Sequence, residues 1–223
     1  MSLSARAGAL VALAALLLGL CAQSAQAHPH FHFAYQFEPV VQTDGLSGLR
    51  VVWWVDAAAS AQIRQAADVN RDGQLDATEL AAFARGNDRL MRMQRYFISA
   101  LPAQPFGAAE PLEFEVAAPL SAEDHAERGI RLSFELRFAA PLRDGAVRMR
   151  MFDPTWNVAL TPHAAVLPQP GCQALRQDAT LATVGWGEQL VATLLIECPP
   201  ANSARPLAML THPSRARDQE TQE

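Results

Sequence analysis

The stretch Phe31-His32-Phe33-Ala34-Tyr35-Gln36-Phe37 sets four aromatic rings on alternate positions. Successive side chains of an extended chain point to opposite faces, so this period of two predicts a strand with one buried aromatic face and one polar face. Asp44-Gly45 and Ser47-Gly48 mark a turn after it, and residues 49–55 continue as a second strand, so the pair reads as a hairpin. From 57 to 95 the chain turns alanine-rich, with Leu80, Phe83, Leu90 and Met91 at helical spacing and only the Asp/Asn/Gly segment at 68–76 interrupting. Strand signals return at 96–101, 112–116, 130–138, 147–152 and 190–198, separated by proline, glycine and acidic turns. The expected fold is α+β, mainly β: a β-sandwich-like domain over 28–198 with a helix-loop-helix inserted at 57–95.

The ends of the chain have a different composition. Arg6, an apolar run over 9–20 and Ala25-Gln26-Ala27 read as a secretory signal peptide over 1–27, cleaved before His28. The run is shorter than the roughly 20 residues of a membrane span. Leu20 before Cys21 fits lipoprotein processing poorly. No later stretch reads as a span, so the expectation is a periplasmic protein that does not itself cross the membrane. Residues 199–223, rich in Pro, Arg, Gln and Glu, read as a disordered tail.

Removing 1–27 takes away one basic residue, Arg6, leaving 17 basic against 23 acidic side chains, a formal charge of −6. That balance argues against nucleic acid as a partner. Cys172 and Cys198 suit an oxidising compartment and can pair as a disulfide; without Cys-x-x-Cys spacing a thiol-redox role is not expected.

Residues 68–79 read Asp-Val-Asn-Arg-Asp-Gly-Gln-Leu-Asp-Ala-Thr-Glu, and each position that an EF-hand constrains holds a suitable residue. Asp68, Asn70 and Asp72 offer hard oxygen ligands, and Gln74 its backbone carbonyl. Gly73 permits the sharp turn, Asp76 acts directly or through water, and Glu79 closes the site bidentately. Leu75 points back to apolar neighbours. A metal-free turn capping the next helix is the alternative, but four carboxylates crowded into twelve residues repel one another without a cation. Calcium is the expected ion, because the loop supplies more oxygens than magnesium takes from protein. EF-hands are usually paired. A lone loop points to a structural site, either weak, roughly 0.1 to 1 mM, or strongly prebuilt.

Cleavage at 27 leaves His28-Pro29-His30-Phe31-His32 beside a free amine, a candidate site for zinc, nickel, cobalt or copper. Pro29 lacks an amide hydrogen, which excludes the terminal chelate that uses deprotonated backbone amides. Two arrangements stay open: a brace of the His28 amine and imidazole with another histidine, or His30 and His32 joining His125, His163 or an acid. A solvated strand start that binds nothing is the third. Asp153-Pro154-Thr155-Trp156-Asn157 reads as a turn fixed by Pro154 with Trp156 packed. Gly-x-Ser-x-Gly, phosphate-loop and His-Glu-x-x-His motifs are all missing, so no catalytic residues are expected and the chain reads as a non-enzyme.

Four features together resemble one family: the signal ending before His28-Pro29-His30, the strand Gly48-Leu49-Arg50-Val51-Val52-Trp53, the inserted loop at 68–73, and Phe152-Asp153-Pro154-Thr155-Trp156. That family is domain of unknown function 1007, exported bacterial proteins labelled periplasmic components of an uncharacterised ABC-type transport system. The resemblance runs to about Cys198. It implies a genomic link to nickel, cobalt or zinc permeases of the inner membrane, and carries over His28, His30 and the calcium loop. An ABC solute-binding protein ordinarily has two α/β lobes, and this chain is too short and strand-rich for them. The expected role is therefore an accessory in transition-metal handling. The competing expectations are a calcium-stabilised envelope interaction module and a copper enzyme built on a His28 brace.

Overall fold

A computed structural model describes residues 30–103, 110–163, 170–183 and 187–199. The expected signal peptide, His28 and the tail from 200 onward lie outside the described residues. Strands take 56% of the described residues and helices 20%, so the fold is α+β, mainly β, and sandwich-like.

Strand β1 (Phe31–Gln42) and β2 (Gly45–Val55) form the expected antiparallel hairpin, with Phe33 opposite Val55 and Phe37 opposite Val51. The turn is confined to Thr43-Asp44, and Ser47-Gly48 lies within β2. Gly48 serves contact with the next strand: a Cβ there would stand 2.1 Å from the Leu136 carbonyl oxygen. Two helices follow, α1 (Ala57–Ala67) and α2 (Ala77–Met93). The chain then runs through a short turn of helix at Arg95–Phe97 into β3 (Ile98–Pro102), β4 (Phe114–His125), β5 (Gly129–Leu142), β6 (Ala146–Met151), β7 (Val158–Pro162), β8 (Gln173–Thr183) and β9 (Gly187–Glu197). One sheet has the order β4-β5-β2-β1-β7, with β7 parallel to β1; the other has the order β3-β6-β9-β8.

The two sheets share one core. Phe33, Tyr35 and Phe37 of β1 enter it, as the alternation predicts, together with Trp53 of β2, Phe134 of β5 and Met149 and Met151 of β6. Trp53 stands at its centre: its ring packs on Phe33 at 5.6 Å and edge-on to Phe134 at 5.1 Å, and its indole N–H donates to Met151 Sδ at 3.5 Å. Buried Tyr35 ends in a hydroxyl without a hydrogen-bond partner among the described residues. Burial pushes that phenol well above its ordinary range.

Three departures from the sequence reading have physical causes. Strands β7 and β8 carry weak apolar patterns: β7 spans five residues and ends on proline, and β8 is an edge strand with most of its length exposed. The strand expected from 96 starts at Ile98, because Arg95, Tyr96 and Phe97 adopt left-handed φ angles of 48°, 52° and 58°. Strand β4 extends to His125, beyond the apolar stretch at 112–116, because its edge position exposes alternate polar residues. The Cys172–Cys198 disulfide staples the open end of the β8–β9 hairpin, closing a separation of 26 residues. In the chain-entropy view such a loop contributes roughly 3 to 4 kcal/mol. No described helix is long and apolar enough to cross a membrane.

The helical pair is bolted to the sandwich at specific points. Buried Ser60 of α1 donates to the Val55 carbonyl at 3.1 Å and accepts from Ile130 N–H at 3.0 Å. Arg64 meets the Asp124 carboxylate at 2.6 Å. Asp88 of α2 accepts from Leu120 N–H of β4 at 2.9 Å, from the Tyr96 hydroxyl, and from Arg92 one turn on at 2.6 Å. Burial raises the Asp88 carboxyl, but these three donors outweigh it and hold the group below its ordinary range.

A depressed carboxyl contributes stability that is present above its unfolded value of about 3.9 and is lost as pH falls through its folded value. Melting the protein at pH 6 and at successively lower pH should therefore show a steeper acid loss in wild type than in Asp88→Asn. At pH 6, Asp88→Ala should cost about 2 kcal/mol or more in urea unfolding, the scale of buried charge-assisted bonds. Parallel acid profiles would show that Asp88 does not clamp α2.

Candidate functional site

The loop between α1 and α2 is held by a dense set of local side-chain to backbone hydrogen bonds. Three of its side chains fold back over their own backbone. Asp68 accepts from Asp72 N–H at 3.2 Å and, through its second oxygen, from Gly73 N–H at 2.9 Å. Asn70 Oδ1 accepts from Asp72 N–H at 2.8 Å, and Asp72 Oδ1 from Gln74 N–H at 2.8 Å. Such bonds are the reason short polar side chains favour turns. Arg71 and Gly73 take left-handed φ angles of 61° and 83°. A Cβ on Gly73 would meet nothing within 4 Å, so it is backbone conformation, and not space, that calls for glycine here.

Asp76 and Glu79 begin α2 as a reciprocal capping box. Asp76 Oδ1 accepts from Thr78 N–H at 2.7 Å and Glu79 N–H at 2.8 Å. Glu79, 7% exposed, returns Oε2 to Asp76 N–H at 3.2 Å and sends Oε1 across the loop to Val69 N–H at 2.8 Å and Asn70 N–H at 3.2 Å. The last residue of the twelve thereby clasps the first arm of the loop. Leu75 packs against the core and ties the loop to the domain.

The donors are all hard oxygens, the class that suits calcium. An ionised carboxylate has about four lone-pair sites, so the backbone bonds leave capacity for a cation. The chemistry of the donors and the two left-handed turns fit a calcium loop. Among the described residues, no three His, Cys, Asp or Glu side chains are gathered as a metal-holding group in the present arrangement.

The histidines stand apart. His30 N–H donates to the Asn157 carbonyl at 2.9 Å, which sets the start of β1 against the turn before β7. His32 N–H donates to Asp56 Oδ2 at 2.9 Å. His163 follows β7 and its N–H donates to Tyr35 O at 2.7 Å, about three residues along β1 from His32, or ~10 Å. His125 lies on β4, three strands across the sheet from β1, or ~14 Å at about 4.8 Å per strand; its ring contacts Trp54 and Glu123. Neither His125 nor His163 joins His30 and His32, and His28 lies outside the described residues.

Sequence reading missed two features. Asp153, 2% exposed, organises the turn it begins, accepting from the amides of Thr155, Asn157 and Val158 and from the Thr155 hydroxyl at 2.6 to 3.0 Å. This carboxylate, more than Pro154, shapes the segment, and Trp156 sits half-buried at a φ of 57°. The clamp on Asp88 was also unforeseen, since an aspartate inside a helix carries no signal of a partner 32 residues away.

A family model described as a protein of unknown function (DUF1007) matches residues 13–182. The chain belongs to this family. The DUF1007 match takes in the hairpin, both helices, the loop at 68–79 and the Asp153 turn, and stops within β8, short of the limit near Cys198 that the motifs implied. No curated protein and no solved structure matches the chain.

Replacing the cap tests the local account of the loop. In chelator-treated protein, Asp76→Ala should lower unfolding free energy by about 1 kcal/mol, while Asp76→Ser retains most of it. Equal losses in the two variants would refute the capping role.

Proposed function

We propose that this DUF1007 protein is an exported, periplasmic calcium-binding protein whose single EF-hand loop, 68–79, braces the helical pair. It serves as a non-catalytic accessory in handling a transition metal, nickel, cobalt or zinc, in association with an inner-membrane permease. The observation that carries the calcium half is the clasp of Glu79 onto Val69 and Asn70, which brings the twelfth residue over the arm bearing Asp68, Asn70 and Asp72. With calcium bound, those side chains, the Gln74 carbonyl and Asp76 would hold the ion. Glu79 would exchange its bonds across the loop for the ion. Calcium would supply the positive charge that four carboxylates lack, fixing the angle at which α1 leaves and α2 enters.

The transition-metal half draws on the sequence of the N-terminus, where His32 lies on the exposed face of β1, His30 immediately precedes that strand and His28 stands two residues before His30. Supporting the other reading, an envelope interaction module, is the outer edge of β8, which among the described residues pairs with no further strand and so can accept one. A copper enzyme needs a second histidine near His28, which lies outside the described residues.

Calcium should raise the thermal midpoint in a titration that saturates at one ion per chain, and Glu79→Gln should shift that titration to about tenfold higher calcium, ~1.4 kcal/mol of binding. An unchanged midpoint in excess calcium would remove the calcium reading. For the histidines, metal content of protein recovered after export is compared with a His28, His30 and His32 triple alanine variant. Lower nickel, cobalt or zinc in the variant supports the accessory role, and equal content leaves the interaction module.

A further inference from the structure

The helical pair does not lie flat on the sandwich. Between α2, the first residues of β1 and the Asp153 turn is a cleft of about 440 Å³, within the range of about 300 to 1,000 Å³ in which proteins hold small molecules. Its walls are aromatic and aliphatic: Phe31 and Phe33 from β1, Trp53 from its floor, and Phe83, Leu90 and Met91 along one face of α2. Among the described residues, polar side chains line it in two places: Asn87 of α2 with Gln94 just after that helix, and Asp153, Thr155 and Asn157 on the opposing turn.

Charge narrows what such a cleft accepts. Among the described residues the one ionisable side chain that lines it is that of Asp153, a residue 2% exposed whose carboxylate already accepts four hydrogen bonds. It has no open charge with which to draw in a cation, and no arginine among the described residues lines the walls to meet an anion. Metal ions and phosphorylated or carboxylated ligands are poorly served. An uncharged molecule with an apolar body and one or two hydrogen-bonding groups is well served, because its polar end can meet the Thr155 and Asn157 side of the cleft.

Backbone strain points to the same place. Among the described residues, five other than glycine have left-handed φ: Arg71 in the polar loop, Arg95, Tyr96 and Phe97 after α2, and Trp156. The last four flank the cleft, since Gln94, Phe97, Thr155 and Asn157 line it. The two strained segments are also tied together, with Phe152 N–H donating to Phe97 O at 2.8 Å. L residues held in this region are unfavourable and cluster at ligand sites, where surrounding structure over-determines them. Here the strain turns Phe97 into the cleft and Tyr96 away beneath Trp53 and Phe134.

We infer that this cleft is a binding site for an uncharged, mainly apolar small molecule, gripped between α2 and β1 and oriented by the turn from Asp153 to Asn157. The site is independent of the proposed metal chemistry.

N-phenyl-1-naphthylamine, a neutral aromatic fluorophore with a single N–H donor, is a suitable probe for the purified protein. Its fluorescence should rise saturably, with one molecule bound per chain. Leu90 is half-exposed at the cleft rim and should tolerate replacement, so Leu90→Arg should fold, as judged by circular dichroism, and weaken binding at least tenfold. Leu175→Arg, on exposed β8 away from the cleft, should leave binding unchanged. A saturable response that persists undiminished in Leu90→Arg, or no saturable response in the wild type, would overturn the inference.

Discussion

One carboxylate fixes how α2 meets the sandwich. Asp88 sits three turns into α2 and collects a backbone amide from β4, the hydroxyl of Tyr96 and the guanidinium of Arg92. Without it α2 would rest on the sheet through apolar contacts alone, which are non-directional. With it the helix has a defined height and rotation, and Tyr96 is held under Trp53 and Phe134 at the centre of the core. The left-handed turn at Arg95–Phe97 follows from that constraint, since the chain must leave α2 sharply to enter β3 while Tyr96 stays at its post.

The opposite end of α2 is set by a different carboxylate. Glu79 closes the capping box and reaches over the loop, so the helix is defined at its start by local bonds and near its end by a long-range one. Phe83, Asn87 and Leu90 follow Glu79 at intervals of four, four and three residues, which places them on one face of α2. That face is the wall of the cleft. A calcium ion in the proposed site would act on the N-terminal end of the same wall.

Much of this was readable before any coordinates. The aromatic alternation at 31–37 located β1, its buried face and its hairpin partner, because a period of two reports burial directly. The break between two helices at 68–76 was readable too, since its Asp, Asn and Gly signals are local. Strand β8 was not readable: with its residues mostly exposed, nothing in Gln173–Thr183 signals a buried face. Asp88, Asp153 and the cleft were invisible for another reason, which is that each depends on partners brought together by the fold. The left-handed run at Arg95–Phe97 ran against propensity altogether, as a functional or strained segment does.

The proposed function requires that the loop clasped by Glu79 hold one calcium ion. Native mass spectrometry of the protein sprayed from dilute calcium tests it most directly. The wild type should carry the mass increment of a single calcium per chain, displaced by chelator, and an Asp68→Ala, Glu79→Gln double variant that still folds should carry none. Wild type and double variant with the same calcium content, whether zero or one, would contradict the account.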